Sequence, residues 1–187
     1  MALACARVAQ MIGLTRQDRV LDLGCGPGHG RFKAVVIGRA FHWMDRDETL
    51  RTLDGLIEPG GAVVLIGETS LKIPENRRME EFQALDRAWS VEDRSHPIHQ
   101  VRERPHTSVL LASPFSRLEE IRIIFRNPLT LQSLTDRLLS FSSTSRARLG
   151  DRADELLAEL ATKFEAWDAE GPMEEVLAAT ATVAFRP

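Results

Sequence analysis

Three short, predominantly apolar runs mark the first part of the chain, at 19–23, 34–37 and 62–66. Continuous rather than alternating hydrophobicity is typical of parallel strands covered on both faces. Between the second and third runs, leucines recur at helical spacing after Asp45, a predicted N-cap, and stop at a Pro-Gly-Gly turn at 59–61. The pattern therefore predicts a central parallel sheet with a packing helix between two of its strands.

The rest of the chain mixes strand and helix patterns. Residues 118–125 and 180–185 read as strands, and threonines alternate with apolar residues in the second of them. Residues 130–141 and 151–167 carry apolar side chains at helical intervals with charges opposite, and residues 2–12 read as a short helix that caps the sheet. We expect the amphipathic helices to pack on their own domain, because tertiary burial is what stabilises short helices.

Composition narrows the class of protein. A chain of 187 residues that is 43% hydrophobic can form one ordinary domain. Its net charge of -3 offers no basic field for nucleic acid, and no apolar run reaches the roughly 18 residues of a membrane span. Cys5 and Cys25 are the two cysteines, so we expect no disulfide framework, which favours a reducing, cytoplasmic compartment.

A glycine-rich loop directly follows the first apolar run. Asp22 is succeeded by glycine at every second place, at Gly24, Gly26 and Gly28. Residues without a Cβ let main-chain N–H groups approach a ligand closely. The dinucleotide fingerprint G-x-G-x-x-G does not fit, because the third glycine comes one place early and His29 stands where that motif needs glycine. The loop thus predicts a small-molecule site of another kind.

The spacing Asp-x-Gly-x-Gly-x-Gly resembles the first motif of the Rossmann-like, class I S-adenosylmethionine-dependent methyltransferases. Two further segments carry the resemblance in the right order. The segment 34–45, Ala-Val-Val-Ile-Gly-Arg-Ala-Phe-His-Trp-Met-Asp, is similar to their fourth strand and the loop after it, where His-Trp recurs in the small-molecule branch. The segment 56–66 is similar to their helix, Pro-Gly-Gly turn and fifth strand. The resemblance covers residues 19–68.

This resemblance implies a fold and an activity. The fold is α/β: a Rossmann-like, mostly parallel sheet flanked by helices, with an antiparallel hairpin of the last two strands at one edge and a helical cap insertion. One domain would span 1–187, with a cofactor-binding half at 1–68 and a substrate, cap and C-terminal strand region at 69–187. The activity would be methyl transfer from S-adenosylmethionine to a small-molecule acceptor. A catalytically silent methyltransferase-like protein that binds a partner through its C-terminal helices remains the alternative.

The resemblance also assigns site residues. The cofactor would be bound by Asp22, Gly24, Cys25, Gly26, Gly28, Gly38, Arg39, Ala40 and Phe41. The acceptor would meet His42, Trp43 and Trp89, the last of which begins a lid predicted to reach Arg104. As an imidazole that titrates near neutral pH, His42 is the candidate catalytic base. Its alternative is a packing or hydrogen-bonding role, because in-line methyl transfer depends heavily on placement of the nucleophile.

The interval between the first two predicted strands is too short for the family. A parallel crossover takes about a dozen residues or more and usually a helix, whereas the residues between 23 and 34 are mostly the glycine loop. In the family this interval holds a helix, a strand whose acidic end binds the ribose hydroxyls, and a strand that contacts adenine. We predict that roughly 50 to 70 residues, two strand–helix units, are omitted between Gly30 and Ala34. A true deletion would instead favour the silent protein.

Three histidines invite a metal hypothesis. His96, His99 and His106 lie close together in sequence, in a polar stretch. Structural zinc needs four ligands, and no cysteine joins these histidines. We therefore predict no metal.

Overall fold

The computed structural model describes residues 2–23, 30–91 and 103–187. Their strands are β1 (Val20–Asp22), β2 (Phe32–Ile37), β3 (Ile57–Ser70), β4 (Arg117–Pro128) and β5 (Glu174–Phe185). Their helices are α1 (Ala2–Met11), α2 (Arg46–Leu56), α3 (Arg77–Trp89), α4 (His106–Leu111), α5 (Leu131–Ser140), α6 (Arg146–Leu149) and α7 (Arg152–Ala169). Short 3₁₀ turns occupy Phe41–Trp43 and Pro74–Asn76.

The strands form one five-stranded sheet in the order β1-β2-β3-β5-β4. β1 pairs with β2 and β2 with β3, both in parallel. β4 and β5 are antiparallel. Thr182, late in β5, donates to Glu120, early in β4, whereas Glu174, at the start of β5, accepts from Arg126, near the end of β4. The predicted mixed α/β sheet, with the last two strands as an antiparallel pair at one edge, is confirmed.

Local sequence explains where α2 begins and ends. The Asp45 carboxylate accepts a hydrogen bond from the Glu48 backbone N–H at 3.0 Å, which confirms the predicted N-cap. The helix ends at Leu56, and Ile57 is already extended with φ -90° and ψ 132°. Pro59 keeps the helix from continuing further, because Glu58, the residue before the proline, is restricted to extended backbone.

β3 begins earlier than predicted, because the Pro-Gly-Gly stretch lies within the strand, where its pairing with β2 is irregular. Phe32 pairs with Ile57, and two residues later Ala34 pairs with Ala62. A Cβ at Gly61 would lie only 2.6 Å from the Lys33 carbonyl oxygen, so glycine is required there.

One expectation needs correction, and one long helix was not predicted. β1 is an edge strand, and Val20 is 44% exposed, so the prediction that the first run is covered on both faces is wrong. Sequence reading also missed α3, although Met79, Phe82 and Leu85 recur every three residues and are buried. The sequence does carry this helical periodicity, but in a segment in which charged residues predominate.

Contacts divide the described residues into two compact units. The first takes its residues from Met1–Thr69, His96–Ile123 and Ala178–Pro187, and the second from Ser70–Ser95 and Ile124–Leu177. In the first unit, Val8 of α1 and Ile12, just after its end, pack on one face of the sheet, against Ala34 and Val64, as predicted for a capping helix.

The other sheet face of the first unit is covered by α2 and α4. Val35 and Ile37 point to this face, because side chains alternate along a strand. Leu50 and Leu53 of α2 and Val109 and Leu110 of α4 complete this cluster.

The second unit has its own apolar cluster, made by α3, α5 and α7. The predicted amphipathic helices 130–141 and 151–167 bury their apolar stripes here, through residues such as Leu134, Leu138, Leu156 and Leu160. Among the described helices, none is both long enough and apolar enough to cross a bilayer.

Candidate functional site

The carboxyl ends of β1 and β2 lie side by side. Asp22, the last residue of β1, pairs with Val36, and the Leu23 N–H donates to the Val36 carbonyl at 2.9 Å. Gly38 follows the end of β2 directly. In open α/β sheets, ligands bind outside the carboxyl ends of the strands. The fold thus brings Asp22 and residues 38–40 to the edge where a ligand site is expected.

The backbone at this edge is accessible. Asp22, Gly38 and Arg39 are exposed, and Ala40 is half-buried. The other predicted cofactor residues, Gly24, Cys25, Gly26 and Gly28, lie outside the described residues.

The 3₁₀ turn Phe41–Trp43 divides its three side chains between core and surface. Phe41 is 1% exposed and belongs to the apolar cluster beneath α2 and α4. Trp43 is 59% exposed, and its ring centroid lies 5.3 Å from that of the half-buried His42. The Phe41 side chain therefore anchors the turn, and contact of this residue with a ligand would be limited to its backbone. His42 and Trp43 are presented outward.

A second set of polar residues, which sequence reading missed, joins the start of α2 to the start of α4 and the chain just before it. One nitrogen of Arg46, Nη1, donates to the Arg104 carbonyl at 2.7 Å and lies 3.3 Å from His106 Nδ1. In return, the Arg104 guanidinium binds both carboxylate oxygens of Asp47, at 2.6 and 2.9 Å. We call Arg46, Asp47, Arg104 and His106 the clasp. Its members lie too far apart in sequence for any local pattern to reveal it.

The clasp changes the ionisation of its members. The hydrogen bond from Arg104 lowers the pKa of the exposed Asp47 carboxyl. Burial lowers the pKa of His106 below its ordinary value of 6.5, with smaller contributions from the charges of Arg46 and His42. His106 is therefore biased towards the neutral imidazole.

Trp89 ends α3 in the second unit. Its indole Nε1–H donates to Glu159 Oε2 at 2.9 Å, and the Arg152 guanidinium carbon lies 5.0 Å from the ring centroid. Both partners belong to α7, so Trp89 has a packing role there. Its contact with an acceptor stays a prediction.

The metal hypothesis gains no support from the residues that can be inspected. Within the described ranges, no three His, Cys, Asp or Glu side chains are grouped so that they could hold an ion. His96 and His99 lie outside those ranges, and His106 Nδ1 faces Arg46.

No protein-family profile and no curated protein sequence matches the chain. Solved structures do. A protein provisionally assigned as a type II methyltransferase from Anaeromyxobacter dehalogenans is 21% identical, with a TM-score of 0.52 over 84% of this chain and 65% of that one. A provisionally assigned methyltransferase from Bacillus halodurans is 13% identical, with a TM-score of 0.50 over 97% and 98% of the two chains. This chain thus spans less than two thirds of the first relative's length. The chain has the Rossmann-like fold of the class I S-adenosylmethionine-dependent methyltransferases.

Proposed function

We propose that this protein transfers a methyl group from S-adenosylmethionine to a small-molecule acceptor. The observation that supports it is that Asp22 and residues 38–40 lie at the carboxyl ends of two neighbouring parallel strands. The glycine loop continues directly from the first of these strands.

The residues at this edge suit the amino-acid end of the cofactor. An exposed carboxylate at Asp22 can pair with the cofactor's ammonium group, and the accessible backbone of Gly38, Arg39 and Ala40 can hydrogen-bond its polar atoms. Gly24, Cys25, Gly26 and Gly28 would complete this half of the site. When bound, the cofactor supplies an electrophilic methyl group on its sulfonium.

The 3₁₀ turn after β2 supports an acceptor site. His42 is half-buried and can take the proton of an acceptor hydroxyl or amine, whereas the exposed Trp43 ring offers apolar surface. The reducing compartment inferred from the cysteine content, with Cys5 as a free thiol, supports a cytoplasmic location.

The adenosine end of the cofactor requires groups beyond β1. Because β1 is the outermost strand at one side of the described sheet, a strand of an omitted segment could pair with it there. We expect the native protein to be heavier than 20.9 kDa by roughly two strand–helix units. Intact mass spectrometry measures this directly. A mass of 20.9 kDa would favour the silent methyltransferase-like protein over the enzyme.

The cofactor assignment is tested at the glycine loop. Replacing Gly26 by the β-branched valine introduces a Cβ where we expect the backbone to touch the ligand. The affinity for S-adenosylhomocysteine should fall by about tenfold or more, which corresponds to about 1.4 kcal/mol. Calorimetric titration of the parent and Gly26→Val proteins measures it, with Gly55→Val in α2 as the control, where an added Cβ meets no atom within 4 Å. Equal affinity in parent and Gly26→Val proteins would remove this loop from the site.

A further inference from the structure

The proton positions in the clasp follow from its donors. Arg46 carries only N–H donors, so His106 Nδ1, 3.3 Å away, must act as the acceptor. The imidazole is then neutral and carries its proton on Nε2. The same Arg46 nitrogen donates its other hydrogen to the Arg104 carbonyl. One arginine therefore holds both the backbone just before α4 and the histidine that begins α4.

The clasp is connected to the proposed acceptor site through Phe41. The His106 ring centroid lies 5.0 Å from that of Phe41, and the two planes are inclined by 53°. Phe41 is the buried anchor of the turn that presents His42 and Trp43. A shift of His106 would therefore be transmitted to the turn through a packed ring contact.

We propose that His106 is a positioning residue of the acceptor site, where its neutral imidazole accepts from Arg46 and supports the turn that carries His42 and Trp43. The acceptor-site part of this inference rests on the proposed function, whereas the coupling of His106 to the turn does not. Protonation of Nδ1 would place a cation against the Arg46 guanidinium and open the clasp. The turn should therefore be pH-sensitive.

Two charged groups face His106: Arg46 approaches from α2 and His42 from the 3₁₀ turn. The Arg104 guanidinium, from the chain just before α4, binds Asp47. Arg46 and protonated His42 both oppose a positive charge on His106, whereas Asp47 is neutralised by its two hydrogen bonds with Arg104. The balance favours the neutral ring at neutral pH and a switch on acidification.

The test follows the Trp43 indole N–H by nuclear magnetic resonance as the pH is lowered. All proteins carry His42→Gln, so that titration of His42 itself does not move the Trp43 signal, and Trp43→Phe identifies the resonance. His106→Asn keeps an acceptor close to the position of Nδ1 but cannot titrate. His106→Phe keeps the ring contact and loses the acceptor.

With His106 present, the Trp43 resonance should move along one titration curve with its midpoint below the ordinary histidine value of 6.5. His106→Asn should abolish this titration and leave the signal at its high-pH position. His106→Phe should give a displaced, pH-independent signal. An unchanged titration in His106→Asn, or no titration with His106 present, overturns the inference, and the Asn comparison decides even where His106→Phe does not fold.

The experiment separates this inference from the proposed function, because its signal needs no cofactor. S-adenosylhomocysteine is added to the same samples as a second arm. Titration of Trp43 without any binding of S-adenosylhomocysteine would reject the proposed function and retain the coupling. Binding without titration would reject the role of His106 alone.

Discussion

The two compact units differ in where they place some of their polar side chains. In the second unit, buried polar groups have hydrogen-bond partners. Glu175, 2% exposed, accepts from the half-buried Arg137 at 2.7 Å. Thr144, fully buried, donates to the Leu138 carbonyl at 2.7 Å. In the first unit, Asp22, Arg39 and Trp43 stand exposed at the carboxyl ends of parallel strands and in the turn after them. Buried polar groups that are hydrogen-bonded to one another contribute to stability. Exposed polar groups at the carboxyl ends of parallel strands are typical of ligand-binding sites.

Asn76 illustrates the buried, hydrogen-bonded arrangement. Its amide donates to the Leu71 and Val176 carbonyls at 2.7 and 2.8 Å, and its side-chain oxygen accepts from the Val176 N–H at 2.7 Å. The side chain thus satisfies both backbone groups of one β5 residue. Among the described residues, no buried side-chain nitrogen or oxygen lacks a partner. The contrast between the units predicts which substitutions should alter activity and which should alter stability.

The largest expected effect is on activity, in the first unit. If His42 takes the acceptor proton, His42→Ala should lower turnover by about 100-fold to 10,000-fold and leave the affinity for S-adenosylhomocysteine nearly unchanged. A screen of small carboxylic acids, phenols and amines with radiolabelled donor identifies the acceptor first. Turnover within a few-fold of the parent would assign His42 to packing and leave methyl transfer to placement alone.

The next effect is on stability, in the second unit. Asn76→Ala removes the partners of buried backbone groups and should lower the free energy of unfolding by about 3 kcal/mol. Urea denaturation measures it. The matched change Asn127→Ala, at a half-buried position in β4, should cost less than about 1 kcal/mol. Loss of S-adenosylhomocysteine affinity in folded Asn76→Ala would contradict the division of roles.

The smallest effect is the pH dependence that His106 introduces into the first unit. Because its folded pKa lies below the ordinary value of 6.5, the unfolded chain binds the proton more readily. Stability from this residue is therefore complete above about pH 6.5 and declines as the pH falls towards the folded pKa. Urea midpoints of the parent and His106→Asn proteins should diverge on acidification. Parallel curves would show that His106 does not titrate with folding.

The sequence by itself determined many of the elements and their kinds, although not α3. Continuous apolar runs predicted β1, β2 and the centre of β3, helical spacing predicted α2, α5 and α7, and Asp45 marked a helix start that its side chain caps. These features depend on neighbours a few residues apart, which is why local pattern carries them. The grouping of Asp22 with residues 38–40 was also predictable, since parallel strands end at the same edge.

Only the tertiary structure decided what each side chain meets. That Phe41 is buried while Trp43 is exposed, that Asp47 binds Arg104, and that Asn76 binds Val176 depend on segments distant in sequence. The edge position of β1 likewise depends on which strands are available to pair. Long-range contacts arise from the packing of whole elements. A local pattern of polar and apolar residues shows which face of a helix or strand is buried, but not which element packs against it.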